Sequence, residues 1–345
     1  MIRRPRAIIA TALAAAAFVF AACRGKEPYT KETFVMGTKA WVTIAGTSDH
    51  EAERIATETF AEMYRIESVM STWRATSEIS RLNAGSNGEP FAVSRELFSL
   101  IDSSFFYAAA TEGAFDITVR PFVLLWGFQG GPAKVPSNEE ITRVLGFVGY
   151  GRVTLETSNS TVTLPAGMQL DLAGVAKGYA VDRCVAVLKK AGIGNALINI
   201  GGNIFALGEG PDGRGWRIGI RDPHGGMNTV GSLSISNEAV ATSGNYENFI
   251  EINGTRYGHI LDPRTGEPVS SVLSVTVVAP TGLASDALST GLFVLGPGRA
   301  APMMSRLKGV MALYALPDGE GVRYLTLGDV ADRLDLDTIA KEEKQ

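Results

Sequence analysis

The sequence predicts an α+β fold, with mixed, largely antiparallel sheets and flanking helices. Three observations predict it. Helical and strand periodicities are interleaved without the strict strand–helix alternation of a doubly wound sheet. From residue 215 to 279 nearly everything reads as strand. Inside that run, Phe249-Ile-Glu-Ile-Asn-Gly-Thr-Arg-Tyr-Gly-His259 alternates around Asn253-Gly254, a strong signal for a type I′ hairpin.

The elements follow in order. Ala40 to Ile44 reads as a strand. Ser48-Asp-His-Glu51 is a capping box, and Ile55, Phe60, Met63, Ile66 and Met70 continue it as an amphipathic helix. Trp73 to Ser80 is a loop, followed by a helical turn. A helix runs from Ser94 to Thr111 with Leu97, Ile101, Phe105 and Ala108 inward, and Gly113 ends it. Apolar Phe122 to Phe128 is broken by Gly130-Gly131-Pro132. Ser137-Asn-Glu-Glu140 caps a short helix ending near Gly149, and short strands follow at 152–156 and 161–164. Met168 to Leu172 reads as a strand that feeds a helix. Val175, Tyr179, Val181, Val185 and Leu188 form that helix's stripe, which stops at Gly192. Strands at 195–200 and 203–208 join through Gly201-Gly202. A helix from Ala284 to near Gly296, another over 298–307, and strands at 309–314 and 321–326 close the domain. The tail from Asp329 is charged and expected to fray.

Composition bounds the function. The 345 residues are 45% hydrophobic and 20% charged, which suits a globular protein of one large domain or two. A net charge of −4 gives no footing for nucleic acid. Setting aside Arg3, Arg4 and Arg6 leaves 29 basic against 36 acidic residues. Residues 1–23 read as a lipoprotein signal peptide: a basic start, an apolar stretch from Ile8 to Ala22, and the lipobox Phe20-Ala-Ala-Cys23. A lipidated Cys23 would tether the domain to a membrane without a spanning helix. An ordinary cleaved signal with an incidental cysteine is the alternative. Residues 24–32 read as a tether, 33–330 as a single domain and 331–345 as a charged tail. Cys184 reads as a small buried hydrophobe, and no disulfide is expected. His50, His224 and His259 are too scattered for a zinc site.

The most informative stretch is Asp171-Leu-Ala-Gly-Val-Ala-Lys-Gly-Tyr-Ala-Val-Asp182. It places glycines, Lys177 and two carboxylates where a helix begins. A helix N-terminus offers unpaired N–H groups and partial positive charge, so this is a phosphate-type site. It is not a Walker loop, because the Gly-x-x-x-x-Gly-Lys-Ser/Thr pattern is absent. Further on, Asp286 and Thr290 are one helical turn apart, an acid and a hydroxyl on one face. That pair suits a hard cation; equally, Asp286 could simply favour the helix start.

These segments resemble, in their order along the chain, the FAD:protein FMN transferase family (ApbE proteins). The resemblance rests on the Asp171–Asp182 stretch, His259-Ile-Leu-Asp-Pro-Arg-Thr-Gly266 and Ser285-Asp-Ala-Leu-Ser-Thr290. Met36-Gly-Thr38, the segment Ser71–Asn83, Gly113–Pro121, Trp126-Gly127 and Ala241–Tyr246 extend it across about Tyr29 to Leu327.

The resemblance implies a fold related to the tunnelling fold. It implies Mg²⁺ on Asp286, Thr290 and the carbonyl of Ala173, with FAD as substrate. It points Asp182 at the adenine or ribose, and Lys177 at the pyrophosphate. Met36, Trp73 and Trp126 are candidates for the flavin pocket, where aromatic planes stack and methionine adapts. Family members often carry Tyr at the Trp73 position. Ser243 and Arg264 are further candidate ligand contacts. His259 or Asp262 would take the acceptor's proton. The implied acceptor is a protein threonine or serine, in the family a subunit of sodium-pumping quinone reductases or Rnf-type complexes. FAD hydrolysis to FMN and AMP, or flavin storage without turnover, are the alternatives. For each side chain the plain reading stays open: core packing for Trp126 and Met36, a solvated charge for Asp182, a structural role for His259.

Overall fold

The computed structural model describes residues 27–224, 226, 228–246, 248–329 and 333–336. The leader with Cys23 and the last residues of the tail lie outside them. The chain is α+β, and its largest element is an eight-stranded sheet.

In chain order, the strands are β1 (Tyr29–Val35), β2 (Thr38–Ile44), β3 (Phe91–Ala92), β4 (Thr154–Glu156) and β5 (Thr161–Thr163). Then come β6 (Ala196–Ile200), β7 (Asn203–Leu207), β8 (Trp216–Arg221), β9 (Thr229–Ile235) and β10 (Glu238–Gly244). The rest are β11 (Phe249–Ile252), β12 (Thr255–Gly258), β13 (Ser274–Ala279), β14 (Met311–Asp318), β15 (Gly321–Gly328) and β16 (Leu334–Leu336). The helices are α1 (Asp49–Met70), α2 (Glu78–Gly85), α3 (Arg95–Ala110), α4 (Arg120–Trp126), α5 (Asn138–Leu145), α6 (Ala176–Lys190) and α7 (Gly282–Met304).

The main sheet runs β1-β2-β6-β7-β10-β13-β14-β15, and each neighbouring pair is antiparallel. Strand alternation divides its residues between two faces. Val42, Ile198, Phe205 and Ala239 pack under α1 and α6, while Val275, Val277 and Tyr314 pack under α7. On the other face, Ala206, Val240, Val278 and Leu313 meet the small sheet β16-β9-β8. The three layers bury the strands that carry the candidate site.

Local signals act as expected in most places. Ser48 and Ser94 accept from backbone N–H groups of their helices, and Ser137 with Glu140 completes a full capping box. Asn253 and Gly254 both adopt positive φ, as the type I′ hairpin between β11 and β12 requires.

Some expectations are corrected. The stretch read as a tether contains most of β1, because Tyr29 to Val35 pairs along its length with β2. Within the stretch read as a charged tail, β16 pairs with β9. Met168 to Leu172 is not a ladder strand. Instead the Asn83 side chain brackets Leu170, accepting from its N–H and donating to its carbonyl. The two helices expected on either side of Gly296 are present: Gly296 leaves helical geometry at φ 71° and divides α7 there.

Candidate active site

The site lies where the N-termini of α6 and α7 meet, over the adjacent strands β7 and β10. Gly178 on α6 and Gly282 on α7 cross almost backbone to backbone. A Cβ on Gly178 would meet the Gly282 carbonyl oxygen at 2.1 Å, and one on Gly282 would meet that of Gly178 at 2.3 Å. Only glycine permits this approach.

Asp286 is one helical turn into α7 and 4% exposed. Its Oδ2 accepts the Gly178 N–H at 2.8 Å, and its Oδ1 lies 3.8 Å from Lys177 Nζ. Asn203, the first residue of β7, has one orientation that satisfies both ends of its amide. There Nδ2 donates to Asp286 Oδ1 at 3.0 Å and Oδ1 accepts from Lys177 Nζ at 3.3 Å. Lys177 Nζ also donates to the Ala173 carbonyl at 3.3 Å. The ammonium therefore sits among three oxygens from the glycine-rich bend, α7 and β7. Thr290 is alongside, its Oγ1 3.5 Å from where a Cβ on Gly174 would be and 3.3 Å from Ser243 Oγ. Ser243 also meets Ser289 at 2.9 Å.

These donors are a carboxylate, a hydroxyl and a backbone carbonyl. Oxygen-only sets suit a hard divalent cation, and the lysine ammonium marks where positive charge is wanted. Among the described residues no cluster of three or more His, Cys, Asp or Glu side chains offers a metal cage. A cation here would have to complete its shell from substrate and water. Burial pushes the Asp286 carboxyl above its usual range, opposed by Lys177 and the Gly178 N–H.

The sequence-predicted pocket residues divide. Met36 and Trp73 fall into a connected wall. Met36 holds a positive φ of 53° in the β1–β2 turn, uncommon for its residue type. Its N–H donates to Glu67 at 2.7 Å, and Arg74, next to Trp73, reaches the same carboxylate at 3.3 Å. Trp73 is 74% exposed, free to offer a ring face. The neighbouring Thr72 bonds Gln129, which accepts from Arg120, which faces the buried Asp171 carboxylate at 3.8 Å. This chain ties the Trp73 loop to the glycine-rich bend.

Trp126 does not join that wall. It is buried against Phe128 and Tyr257, and its Nε1 donates to the Gly266 carbonyl, so it is core. Asp182 is corrected too. Both its oxygens are engaged by α7, accepting from Gly282 N at 2.6 Å and Leu283 N at 2.9 Å. Held on the first turn of α7, it is not a solvated charge.

Asp262 and Arg264 form a two-point ion pair, with Nε at 2.8 Å and Nη2 at 2.7 Å from the carboxylate. The carboxylate also takes the Arg264 N–H, and the Asp262 carbonyl takes that of Gly266. Asp262 is thus a turn-former, and two nitrogens of the Arg264 fork are turned to it. His259 differs. Its Nδ1 lies 2.9 Å from the Asn248 carbonyl, which can only accept. Nδ1 must carry the proton, leaving Nε2 as the basic nitrogen. Burial and the charge of Lys177 hold the imidazole pKa below its ordinary value. A neutral imidazole at neutral pH follows, ready to take a proton.

The family model described as "ApbE family" matches residues 36–314. The chain belongs to the ApbE family. It is 36% identical over 316 residues to the FAD:protein FMN transferase of Treponema pallidum, covering 86% of this chain and 87% of that protein. The solved flavin transferase ApbE of Vibrio cholerae superposes with a TM-score of 0.78 at 32% identity, over 87% of this chain and 97% of that one. The ApbE protein of Thermotoga maritima gives 0.79 at 31%, over 92% and 100%.

Within this ApbE chain, Asn203, Arg120 and Gln129 were missed by reading the sequence. Asn203 had a visible signal, an amide directly after Gly201-Gly202 in a strand run. Arg120 lies in the segment Gly113–Pro121 that carries the resemblance, but its role was not read there; Gln129 had no signal, because Thr72 is 57 positions away.

Proposed function

We propose that this chain is a Mg²⁺-dependent FAD:protein FMN transferase that moves the FMN phosphoryl unit onto a threonine or serine hydroxyl of an acceptor protein. A bond forms between the acceptor oxygen and the FMN-side phosphorus. The pyrophosphate P–O bond breaks, AMP leaves, and the acceptor proton is lost. The observation that carries this reading is the meeting of Ala173, Asp286, Thr290 and Lys177 at one glycine-lined helix start. Bound there, Mg²⁺ would neutralise pyrophosphate charge.

The chain's own residues do the rest. Asp286, Thr290 and the Ala173 carbonyl would hold the ion. Lys177 would add charge at the pyrophosphate once displaced from the carboxylate. Met36 and Trp73 would flank the flavin rings. His259 Nε2 would accept the hydroxyl proton; Asp262, bound to Arg264, leaves that role to it. Phosphoryl transfer leans on such positioning and charge more than on covalent help.

The test is incubation with FAD, Mg²⁺ and an acceptor domain, read by in-gel flavin fluorescence and AMP release. Fluorescent acceptor with AMP is expected. AMP without labelled acceptor would turn the reading to FAD hydrolysis, and neither product would turn it to storage. Acceptors from quinone reductases and Rnf-type complexes are the first to try. We further place the domain at the cell envelope, tethered through a lipidated Cys23 and facing the periplasm or exterior. Among the described residues no helix is long and apolar enough to cross a membrane. Cys23→Ser should move the protein from the membrane fraction to the soluble one; persistence in membranes would refute the anchor.

A further inference from the structure

Helices α6 and α7 cap each other. The first turn of α6 has no side-chain cap of its own, since Val175 occupies its N-cap position. One of its orphan N–H groups, at Gly178, is taken by Asp286 from α7. In return Asp182, one turn further along α6, takes the N–H groups of Gly282 and Leu283 in the first turn of α7. The glycine crossing holds the two backbones at closest approach between these bonds. Asp286 is thus fixed twice: directly through Gly178, and indirectly because Asp182 pins the turn from which Asp286 projects.

We propose that Asp182 is a positioning residue for the cation site. It sets the register of α7 on α6, and so the distance from Asp286 and Thr290 to the Ala173 carbonyl. Its partners on α7 are neutral amides, and burial opposes its charge. A carboxylate held there on such terms uses both oxygens, one for each N–H. An asparagine has a single acceptor and would turn its NH₂ against the second N–H. Groups behind metal ligands act in this way, by fixing ligand orientation.

This inference rests on the cation site of the proposed function, and the experiment separates the two. Mn²⁺ binding is measured by electron paramagnetic resonance on the full chain without FAD, for wild type, Asp286→Asn, Asp182→Asn and Asp182→Glu. Wild type should bind and Asp286→Asn should not. If wild type fails to bind, or Asp286→Asn binds equally well, the cation site itself falls and the inference with it. Given the expected controls, Asp182→Asn should bind Mn²⁺ roughly 10- to 100-fold more weakly. Asp182→Glu, with both acceptors kept but displaced by a methylene, should fall between. In turnover, the Mg²⁺ needed for half-maximal AMP release should rise in step. A folded Asp182→Asn that melts lower but binds Mn²⁺ like wild type would overturn the proposal and leave Asp182 a helix cap only. If Asp182→Asn does not fold, Asp182→Glu decides alone. Failure of both to fold would make the residue a fold determinant and likewise overturn it.

Discussion

Asp182 and Arg183 are neighbours on α6, yet they belong to opposite electrostatic regimes. Arg183 faces α1 and joins a surface network. There Glu62 accepts from Arg65 and Arg183, and Glu96 accepts from Arg65 and the Tyr179 hydroxyl. The Arg65 bonds, aided by lesser partners, hold both glutamates below their usual range. Asp182 faces α7 and the site. Burial pushes Asp182 and Asp286 upward, and the Asp286 charge adds to the rise at Asp182. The surface network carries its own countercharge. The site withholds it: among the described residues Asp286 has Lys177 as its one ion-pair partner, at 3.8 Å. Buried carboxylates shifted in this way mark a candidate functional site. The contrast separates acids balanced by neighbouring guanidinium groups from buried acids held short of countercharge.

The largest expected effect breaks the buried side of that contrast. Asp286→Asn keeps the shape and an acceptor for the Gly178 N–H but removes the charge. Loss of the cation should lower AMP release on the order of a thousandfold, several kcal/mol of barrier. Stability should not fall with it. The folded carboxyl sits above its unfolded value, so its contribution is favourable at low pH and is lost as pH rises. At neutral pH the metal-free variant should therefore melt at or above the wild-type temperature. Wild-type turnover in this variant would remove Asp286 from the mechanism.

Next in size is the crossing that brings the acids together. A methyl group on Gly178 would enter the Gly282 carbonyl and also lie 2.6 Å from Asp286 Cβ. Gly178→Ala should cost about 1–3 kcal/mol of stability through overpacking. Urea midpoints measure this. An unchanged midpoint would mean that the helices can part, and the geometry at Asp286 would lose its rigid support. Smaller again is Trp73→Ala. The ring is 74% exposed, so stability should stay within about 0.5 kcal/mol. FAD affinity should weaken by about 1 kcal/mol, near fivefold, from lost stacking. Flavin fluorescence quenching reads the affinity, and equal binding would take Trp73 out of the pocket.

Much of this was legible because its causes are local. The caps at Ser48, Ser94 and Ser137, the Asn253-Gly254 turn and the period of α6 each depend on neighbours within a few residues. Asp286 and Thr290 were legible for the same reason, sharing one helix face. What failed depends on distant partners. Asp182 meets Gly282 across 100 positions, and no pattern around Asp182 announces a helix end waiting there. Asn83 stands in for a strand partner of Leu170 across 87 positions, which is why an alternating apolar run turned out to have no ladder. Trp126 shows the converse: an aromatic near a polar motif looks like a ligand platform until its faces are seen covered by Phe128 and Tyr257.

The smallest expected effect sharpens the self-neutralised side. Arg65→Met keeps the aliphatic stem and removes the guanidinium that bridges Glu62 and Glu96. Arg65 is 42% exposed as a side chain, so solvent screening keeps the loss below about 1 kcal/mol at neutral pH. The sign is fixed by the direction of the shifts. Both glutamates are depressed when folded, so their contribution is full above the ordinary value of about 4.3 and is lost as pH falls through the folded value. The gap between wild type and Arg65→Met in urea should therefore narrow from pH 7 toward pH 3. A gap that stayed constant with pH would assign the loss to packing, and the network would no longer stand as the charge-balanced counterpart of the site.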